Sequence, residues 1–436
     1  MKPLNVSRSS RSRFTPRVAV SLPSLPLLSV LLAWSPAARA LQPLDEFVRG
    51  ARTHDPANRE ALANHAGAEA RADEALGRAL PSLSAVATYS RNQWEVSFGG
   101  LAVLPRDQLD ASVAVAVPLV DLARFARIAA ANRSAEASGH RQEAIAREAE
   151  AQTVQLYYQL TADLALVEVA RKALDVVRVN LKLNEEAARA GTVTALDVQR
   201  AGVEVERQSQ QLTGAELEVK LVARALASRT GVVADTTSAA PLSDDLHREP
   251  ALDTFIANTP FTPAVRAAIS ERSAAERGAT AQYLALLPSL SGGASERYTN
   301  AVGFLNGHHE AYVATLSLAW GVDFATAPAI RSRNADADAA RAREEQARLT
   351  VGDAIFRAWS TIDADIARSR SARIQADVSA RAAQVARTRY RSGVATQLEL
   401  IQADRDAFAA EAGRIQSDAD LLNARTQLRL LASNAP

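Results

Sequence analysis

From Val113 to Leu119 apolar and small residues alternate along the chain, Val113-Ala114-Val115-Ala116-Val117-Pro118-Leu119, which predicts a β-strand. The period then turns helical for a very long way. Between Asp121 and Ala190 there is no proline, and Gly139 is the only glycine. At Gly191-Thr192-Val193-Thr194 the pattern pauses, and a second helix runs back to Arg229. At about 1.5 Å per residue the outbound arm would reach roughly 100 Å. Globular helices average three or four turns, so a strand feeding such a helical hairpin is not a globular-domain part.

The same plan occurs twice. Val120-Asp121 stands 70 residues before Gly191, and Val322-Asp323 stands 70 residues before Gly393. Asp55-Pro56 and Thr262-Pro263 are each followed 25 residues later by Pro-Ser-Leu-Ser, at Pro81 and Pro288. Two spacings preserved in both halves indicate a tandem duplication. Each unit reads as helix, β-hairpin, long helix, glycine turn, helix. The expected division is a first repeat over 41–230, a linker over 231–260 and a second repeat over 261–436. The β-hairpins are expected near 81–120 and 288–323, and the long helical hairpins near 121–230 and 327–432.

Within the first unit, Leu41 to Arg52 reads as a short amphipathic helix. Asp55 is an N-cap with Pro56 at the first helical position, and that helix is expected to run to Leu80, where Pro81 ends it. Leu83, Ala85, Ala87 and Tyr89 then alternate with Ser82, Ser84, Val86 and Thr88. Past Arg91 the apolar phase moves to Trp94, Val96 and Phe98, which implies a bulge or break near Asn92, and Gly99-Gly100 begins a loop. In the second unit Tyr312, Ala314, Leu316, Leu318 and Trp320 alternate with Val313, Thr315, Ser317 and Ala319. Aromatics at the ends of an apolar strand face suit membrane interfaces, although hairpins on a soluble core can look alike. On the long helices, Val154, Tyr157, Leu160, Leu164 and Val167 mark one stripe, and Leu166, Val169, Val176 and Val179 widen it. Such coverage suits a helix touching neighbours on both sides. The linker is expected to hold short elements at best and to fold against the midpoint of the helices.

Composition sharpens this picture. Hydrophobic residues make up 47% of the chain but aromatics only 5%, so the apolar content is largely alanine and aliphatic, suited to extended helix contacts. The absence of cysteine excludes disulfides, thiol chemistry, Cys-ligated metals and a lipidated N-terminal cysteine. Residues 1–40 read as a signal peptide. Lys2, Arg8, Arg11, Arg13 and Arg17 form a basic leader without acids, Val18 to Trp34 is apolar, and Ala38-Arg39-Ala40 offers a small-x-small cleavage site. Losing the leader's six basic residues takes the net charge from +1 to −5, which is no nucleic-acid footprint. Beyond the leader no run is long and apolar enough for a membrane helix, so the chain is either soluble outside the cytoplasm or enters a membrane as strands.

Four strands cannot close a membrane barrel, and an open sheet in lipid leaves edge groups unpaired at several kcal/mol each. A membrane form must therefore oligomerise: a dimer supplies eight strands, a trimer twelve. Here the residues resemble the TolC family of outer-membrane efflux channels over essentially the whole chain after the leader. The resemblance is carried by the Asp55-Pro56 and Thr262-Pro263 helix starts, the Pro-Ser-Leu-Ser strand starts, and two tips. The tips are Ala190-Gly191-Thr192-Val193-Thr194-Ala195-Leu196-Asp197-Val198 and Tyr390-Arg391-Ser392-Gly393-Val394-Ala395-Thr396-Gln397-Leu398-Glu399-Leu400.

The resemblance implies a homotrimer with a twelve-stranded barrel in the outer membrane of a Gram-negative bacterium, set on a helical tunnel across the periplasm. It implies a conduit without cofactor or catalysis, working with a periplasmic adaptor and an inner-membrane pump. It also implies a pore gate at Asp197 and Glu399, each six residues after its tip glycine, where three copies would ring the constriction with acids. The family's prototype has a further aspartate nine residues after the second tip glycine; this chain has Gln402 there and Asp404 two positions on. By residue type alone, Asp197 and Glu399 are also ordinary first-turn acids favoured by the helix dipole. Arg200 and Arg405 are their candidate partners. Gly191 and Gly393 suit a reversal needing positive φ, and the resemblance makes Gly191, Thr192, Val193, Gly393, Val394 and Ala395 the adaptor contacts. The rival reading is a soluble periplasmic coiled-coil scaffold or adaptor. No constellation of acids, bases or nucleophiles supports an enzyme, and His308-His309 reads as a solvated loop pair rather than a metal site. The exported substrate, whether drug, metal or protein, is not written in the chain.

Overall fold

The computed structural model describes residues 41–432, so the leader expected over 1–40 lies outside the described residues. Helix α1 (Leu44–His54) leads into α2 (Pro56–Gly77) through Asp55, whose carboxylate accepts from the backbone N–H groups of Ala57 (2.8 Å) and Asn58 (3.4 Å). This is the cap that Asp-Pro specifies. The helix stops at Gly77, three residues short of Leu80, because the chain tightens into a turn before Pro81: the N–H of Ala79 bonds to Leu76 and that of Leu80 to Gly77.

The strands β1 (Ser82–Arg91), β4 (Asp107–Val120), β5 (Ser289–Thr299) and β6 (Glu310–Ala319) form one antiparallel sheet in the order β1-β4-β5-β6. Between β1 and β4 the chain makes a small ribbon of its own, β2 (Val96–Phe98) and β3 (Leu101–Leu104), with Gly99 and Gly100 at positive φ as the turn. The phase change read near Asn92 is thus a real break. The main ladder ends there, and the Asn92 N–H and side-chain amide bond to Arg106 O (2.7 Å) and Pro105 O (2.8 Å). A loop was expected past Gly99, and a tight hairpin stands in its place.

Residues directly opposite across a ladder share a face. The register pairs Leu83 with Val115, Ala85 with Val113 and Tyr89 with Leu109, then Val115 with Ala294 and Ala111 with Tyr298, then Gly292 with Leu316 and Glu296 with Tyr312. Apolar side chains thus gather on one face. The other face carries Ser82, Ser84, Ser112, Ser291, Ser295 and Ser317, with an ion pair from Arg297 to Asp110 (3.0 Å). On the apolar face Leu316 is 71% exposed and Tyr312 85%. β1 and β6 are free edges in this chain.

Asp121 caps α3 (Leu122–Arg189) through its carboxylate and the Arg124 N–H (2.9 Å), and α4 (Ala195–Thr230) returns from the far end. The second unit repeats this with α6 (Pro263–Leu284), α7 (Thr326–Arg391) and α8 (Gln397–Leu431). α3 and α7 are about 100 Å long at the standard rise. Each packs against two shorter helices in succession, α3 against α2 and then α4, α7 against α6 and then α8, while α3 also touches α6 and α8. Nearer the sheet, α2 meets α3 through the small side chains of Ala68, Ala72 and Ala135. Large side chains concentrate near the middle, where Phe47 and Tyr157 meet as a tilted ring pair at 5.7 Å among Leu160, Leu164 and Leu226 in the first unit. In the second unit Ile355, Ile362, Ile366, Leu421 and Leu428 fill the equivalent place with Phe255.

The chain between the units crosses both of these clusters. Val232, Ala234, Ala239 and Ala240 lie on the first, and Leu246, Leu252 and Phe255, the last two from the short helix α5 (Leu252–Ile256), lie on the second. Buried Arg425 of α8 pairs with Asp244 (2.9 Å) and Glu249, and Arg373 of α7 donates to Asp244 O (2.9 Å). Asp244, Asp245 and His247 lie close enough to resemble a metal cluster, but Arg425 already occupies that corner. His309 bonds to Thr299 O (3.1 Å) and stacks on Tyr298, so half of the His308-His309 pair is engaged in the hairpin.

One core carboxylate has no such partner. Asp163, midway along α3, has its Oδ2 buried without a hydrogen bond, and burial followed by the nearby Glu218 charge pushes its pKa to about 6. A raised folded-state pKa means that ionised Asp163 opposes folding above pH 6, and the penalty fades as pH falls towards the unfolded value. Asp163→Asn should therefore melt higher than wild type at pH 8, by about 1–2 kcal/mol after solvent screening. The two should converge near pH 4, as read by thermal unfolding in detergent across that range.

Candidate functional site at the helix tips

Both helical hairpins reverse by the same hydrogen bonds. In the first, Gly191 sits at φ 78°, its N–H bonds to Ala188 O (3.0 Å), and the Thr192 N–H bonds to Ala187 O (2.9 Å). In the second, Gly393 sits at φ 73°, its N–H bonds to Tyr390 O (3.0 Å), and the Val394 N–H bonds to Arg389 O (2.9 Å). An L side chain at either glycine would be strained whatever space surrounds it. Three residues on, Thr194 and Thr396 cap the returning helices, accepting from the N–H groups of Asp197 (3.3 Å) and Glu399 (3.2 Å). The duplication thus extends to the caps themselves.

The two acids differ. Asp197 closes a capping box: its carboxylate accepts from the Thr194 hydroxyl (2.7 Å) and N–H (3.2 Å). Those bonds, the hydroxyl's first, hold its pKa below the ordinary aspartate range, with Arg200 at 3.9 Å adding a little. Glu399 is exposed, and no side-chain partner holds it among the described residues. Arg405, expected near Glu399, instead turns inward to buried Glu204 on α4. That placement follows from the register of α8, which buries Leu400 and Asp404 and presents Glu399 to solvent.

Between the tips lies an open crevice of about 950 Å³. Gly191, Thr192, Val193, Asp197, Gly393 and Ala395 line it, whereas Val394 and Glu399 do not. Above it a polar layer that the sequence reading missed joins the two hairpins. The Tyr390 hydroxyl donates to Asn184 Oδ1 (2.6 Å), Asn180 donates to Asp404 (3.4 Å), and Arg387 donates to Asp404 (2.8 Å). Glu204 accepts from Arg405, from Arg207 (2.9 Å) and from Gln208 (2.9 Å). Asn184, Glu204, Gln208 and Asp404 are all buried. Burial alone would raise the Glu204 pKa, but its donors, Arg405 first, hold it low; for Asp404 burial wins over Arg387, and its pKa is raised. Burial and then the Asp197 charge likewise raise the Tyr390 hydroxyl. The available signal was Asn180 and Asn184, four residues apart beside the apolar stripe of α3.

A sheet with one apolar face and two open edges, set on helices of about 100 Å that end in paired tips, is the layout of an outer-membrane efflux channel chain. The chain belongs to the outer membrane efflux protein family, whose model matches residues 48–232 and 262–434. This membership sets aside the soluble scaffold or adaptor reading and places the protein in the outer membrane, reaching into the periplasm. The fold is similar to that of the open-state MtrE channel of Neisseria gonorrhoeae, at 18% identity and TM-score 0.76 over 90% of this chain and 89% of that one. It is likewise similar to Campylobacter jejuni CmeC (15%, TM-score 0.75, 96% and 94%) and Vibrio cholerae VceC (18%, TM-score 0.75, 90% and 96%). No curated protein sequence matches this chain.

Tyr390→Phe removes one hydrogen bond, worth about 1 kcal/mol, and strands the buried Asn184 oxygen. The expected result is a looser pair of tips. Because the chain lacks cysteine, spin labels at Thr192→Cys and Val394→Cys report the separation cleanly, and Tyr390→Phe should broaden and lengthen that distance distribution.

Proposed function

We propose that three copies of this chain form a passive conduit: a twelve-stranded barrel in the outer membrane continued by a helical tunnel through the periplasm. Its tips dock onto an adaptor that couples it to an inner-membrane pump. The observation that carries this reading is the pair of free edges, β1 and β6, on a sheet with an exposed apolar face. In hydrocarbon each unpaired edge group costs several kcal/mol, and β6 of one copy against β1 of the next removes the edges altogether. Three copies give an even-numbered barrel of ordinary size, with Trp320 at one end of the apolar band and Tyr89, Tyr298 and Tyr312 towards the other. Mass measurement in detergent is expected to return a trimer; a stable monomer or dimer would sink the model.

In this reading the tips, with Gly191, Thr192, Val193, Gly393, Val394 and Ala395, form the adaptor-docking end, and Asp197 and Glu399 gate the pore. Glu399 is the freer acid, while Asp197 contributes charge that its capping bonds keep ionised to low pH. Three copies of each would bind divalent cations at the constriction. In planar bilayers, divalent ions on the periplasmic side should lower conductance, with the block weakening as pH falls and the carboxylates protonate. Asp197→Asn with Glu399→Gln should abolish block and pH dependence together. A double mutant blocked at wild-type concentrations would place the constriction elsewhere, with Asp404 the next candidate.

A further inference from the structure

An offset of 202 residues carries Gly191 to Gly393 and Thr194 to Thr396, and it also carries Asp163 to Asp365 and Glu218 to Asp420. Each repeat thus sets one carboxyl on its long helix and a second on the returning helix, at the height of the mid-helix clusters. In the second unit Trp359 of α7 donates to Pro250 O of the linker (2.9 Å). Asp365 and Asp420 instead line an open groove of about 490 Å³ with Thr361, Ala364 and Arg368, which stand about half a turn round α7 from Trp359. The acid pair therefore lies on the flank away from the linker.

The two pairs differ in what neutralises them. Arg368 donates to Asp365 (2.8 Å) and Gln416 to Asp420 (2.9 Å), so burial raises the Asp365 pKa, Arg368 pulls it back, and Asp420 raises it again. The first repeat has Leu166 in the place of Arg368. Burial and then Glu218 act on Asp163, and its Oδ2 is buried without a hydrogen bond. The other charges at this height, Glu168, Arg171, Glu216 and Lys220, lie beneath the linker, where Arg171 pairs with Glu168 (3.0 Å) and Glu216 (3.4 Å). α8 meets α3 here through Ala162, Ile415 and Ala419, which carry no charge. α1 meets it through Phe47, and its Arg52 goes to Glu150, about three and a half turns along α3. Among the described residues no cation stands between Asp163 and Glu218.

We infer that Asp163 and Glu218 form a proton latch between α3 and α4, holding the helices together while the pair carries a proton and pressing them apart once it is lost. In the second repeat Arg368 keeps α7 and α8 together in either state. A protonated carboxyl donates an O–H to its partner, whereas two carboxylates have no hydrogen to share and repel in a partly buried site. The two helix pairs of one chain thus respond differently to acid. Lys172 and Gln211, with their counterparts Ile374 and Gly413, are exposed and stand about two turns nearer the tips than the acids. Spin labels at Lys172→Cys with Gln211→Cys read the α3–α4 separation in the detergent-purified full-length protein, and Ile374→Cys with Gly413→Cys read α7–α8. Between pH 4 and pH 8 the first distance should lengthen and broaden with a midpoint near pH 6, while the second holds. Asp163→Asn should keep the first distance at its low-pH value throughout, and Glu218→Gln should cancel the lengthening by removing the repelling partner. Arg368→Gln should give the second pair the pH response of the first. A first distance that is flat with pH, or that moves equally in Asp163→Asn and Glu218→Gln, overturns the inference. So does a wild-type second pair that moves in step with the first, or one that stays flat in Arg368→Gln.

Discussion

The constraint on which the structure depends is the unsatisfied backbone at the two edges of a four-stranded sheet. Water would solvate those groups; hydrocarbon leaves them bare, at a cost comparable to the whole stability of a domain once several residues are counted. With the apolar face already set by the alternation from Leu83 to Tyr89 and from Tyr312 to Trp320, the remedy is another copy of the same sheet. In the proposed trimer the helices follow from that closure, since strands tied into a ring would carry into a ring the helices of nearly equal length that both repeats supply.

The duplication is legible because its markers are local. Asp55-Pro56, Asp121, Gly191 and Gly393 act through bonds to residues within about one turn, so spacing along the chain carries over directly to structure. The β2–β3 ribbon was only half legible: the phase change at Asn92 marked the break, but two adjacent glycines did not reveal that the chain would pair again beyond it. The layer above the tips was not legible. Tyr390 and Asn184 are 206 residues apart, and Arg405 and Glu204 are 201 apart. Apart from the spacing of Asn180 and Asn184 beside the apolar stripe of α3, nothing in their local sequence distinguishes them from solvated helix polars. Arg405 illustrates the difficulty, because Glu399, the acid expected to meet it, lost to a buried carboxylate on another helix.

The tips also show how one residue can answer to two demands. Asp197 is a helix cap by hydrogen bonding and a charge in the crevice by position. Its counterpart Glu399 is one methylene longer and does not reach back to Thr396 in the same way. The repeats are therefore equivalent in backbone and unequal in electrostatics: one tip presents a fixed charge, the other a free one.

The segment that crosses both mid-helix clusters has a mechanical consequence. Held on α7 and α8 by Arg373 and Arg425, and seated on α3 and α4 through Val232 to Ala240, it ties both long helical pairs at one height. From Tyr157 at that height to Gly191 at the tip is 34 residues, a lever of about 50 Å. A tilt of about 10° there would carry the tip about 9 Å by the same geometry while displacing side chains at the fulcrum by only about 1–2 Å. Large travel at the mouth is thus compatible with a midpoint that scarcely repacks, and substitutions in this short irregular segment act at the pivot rather than at the pore.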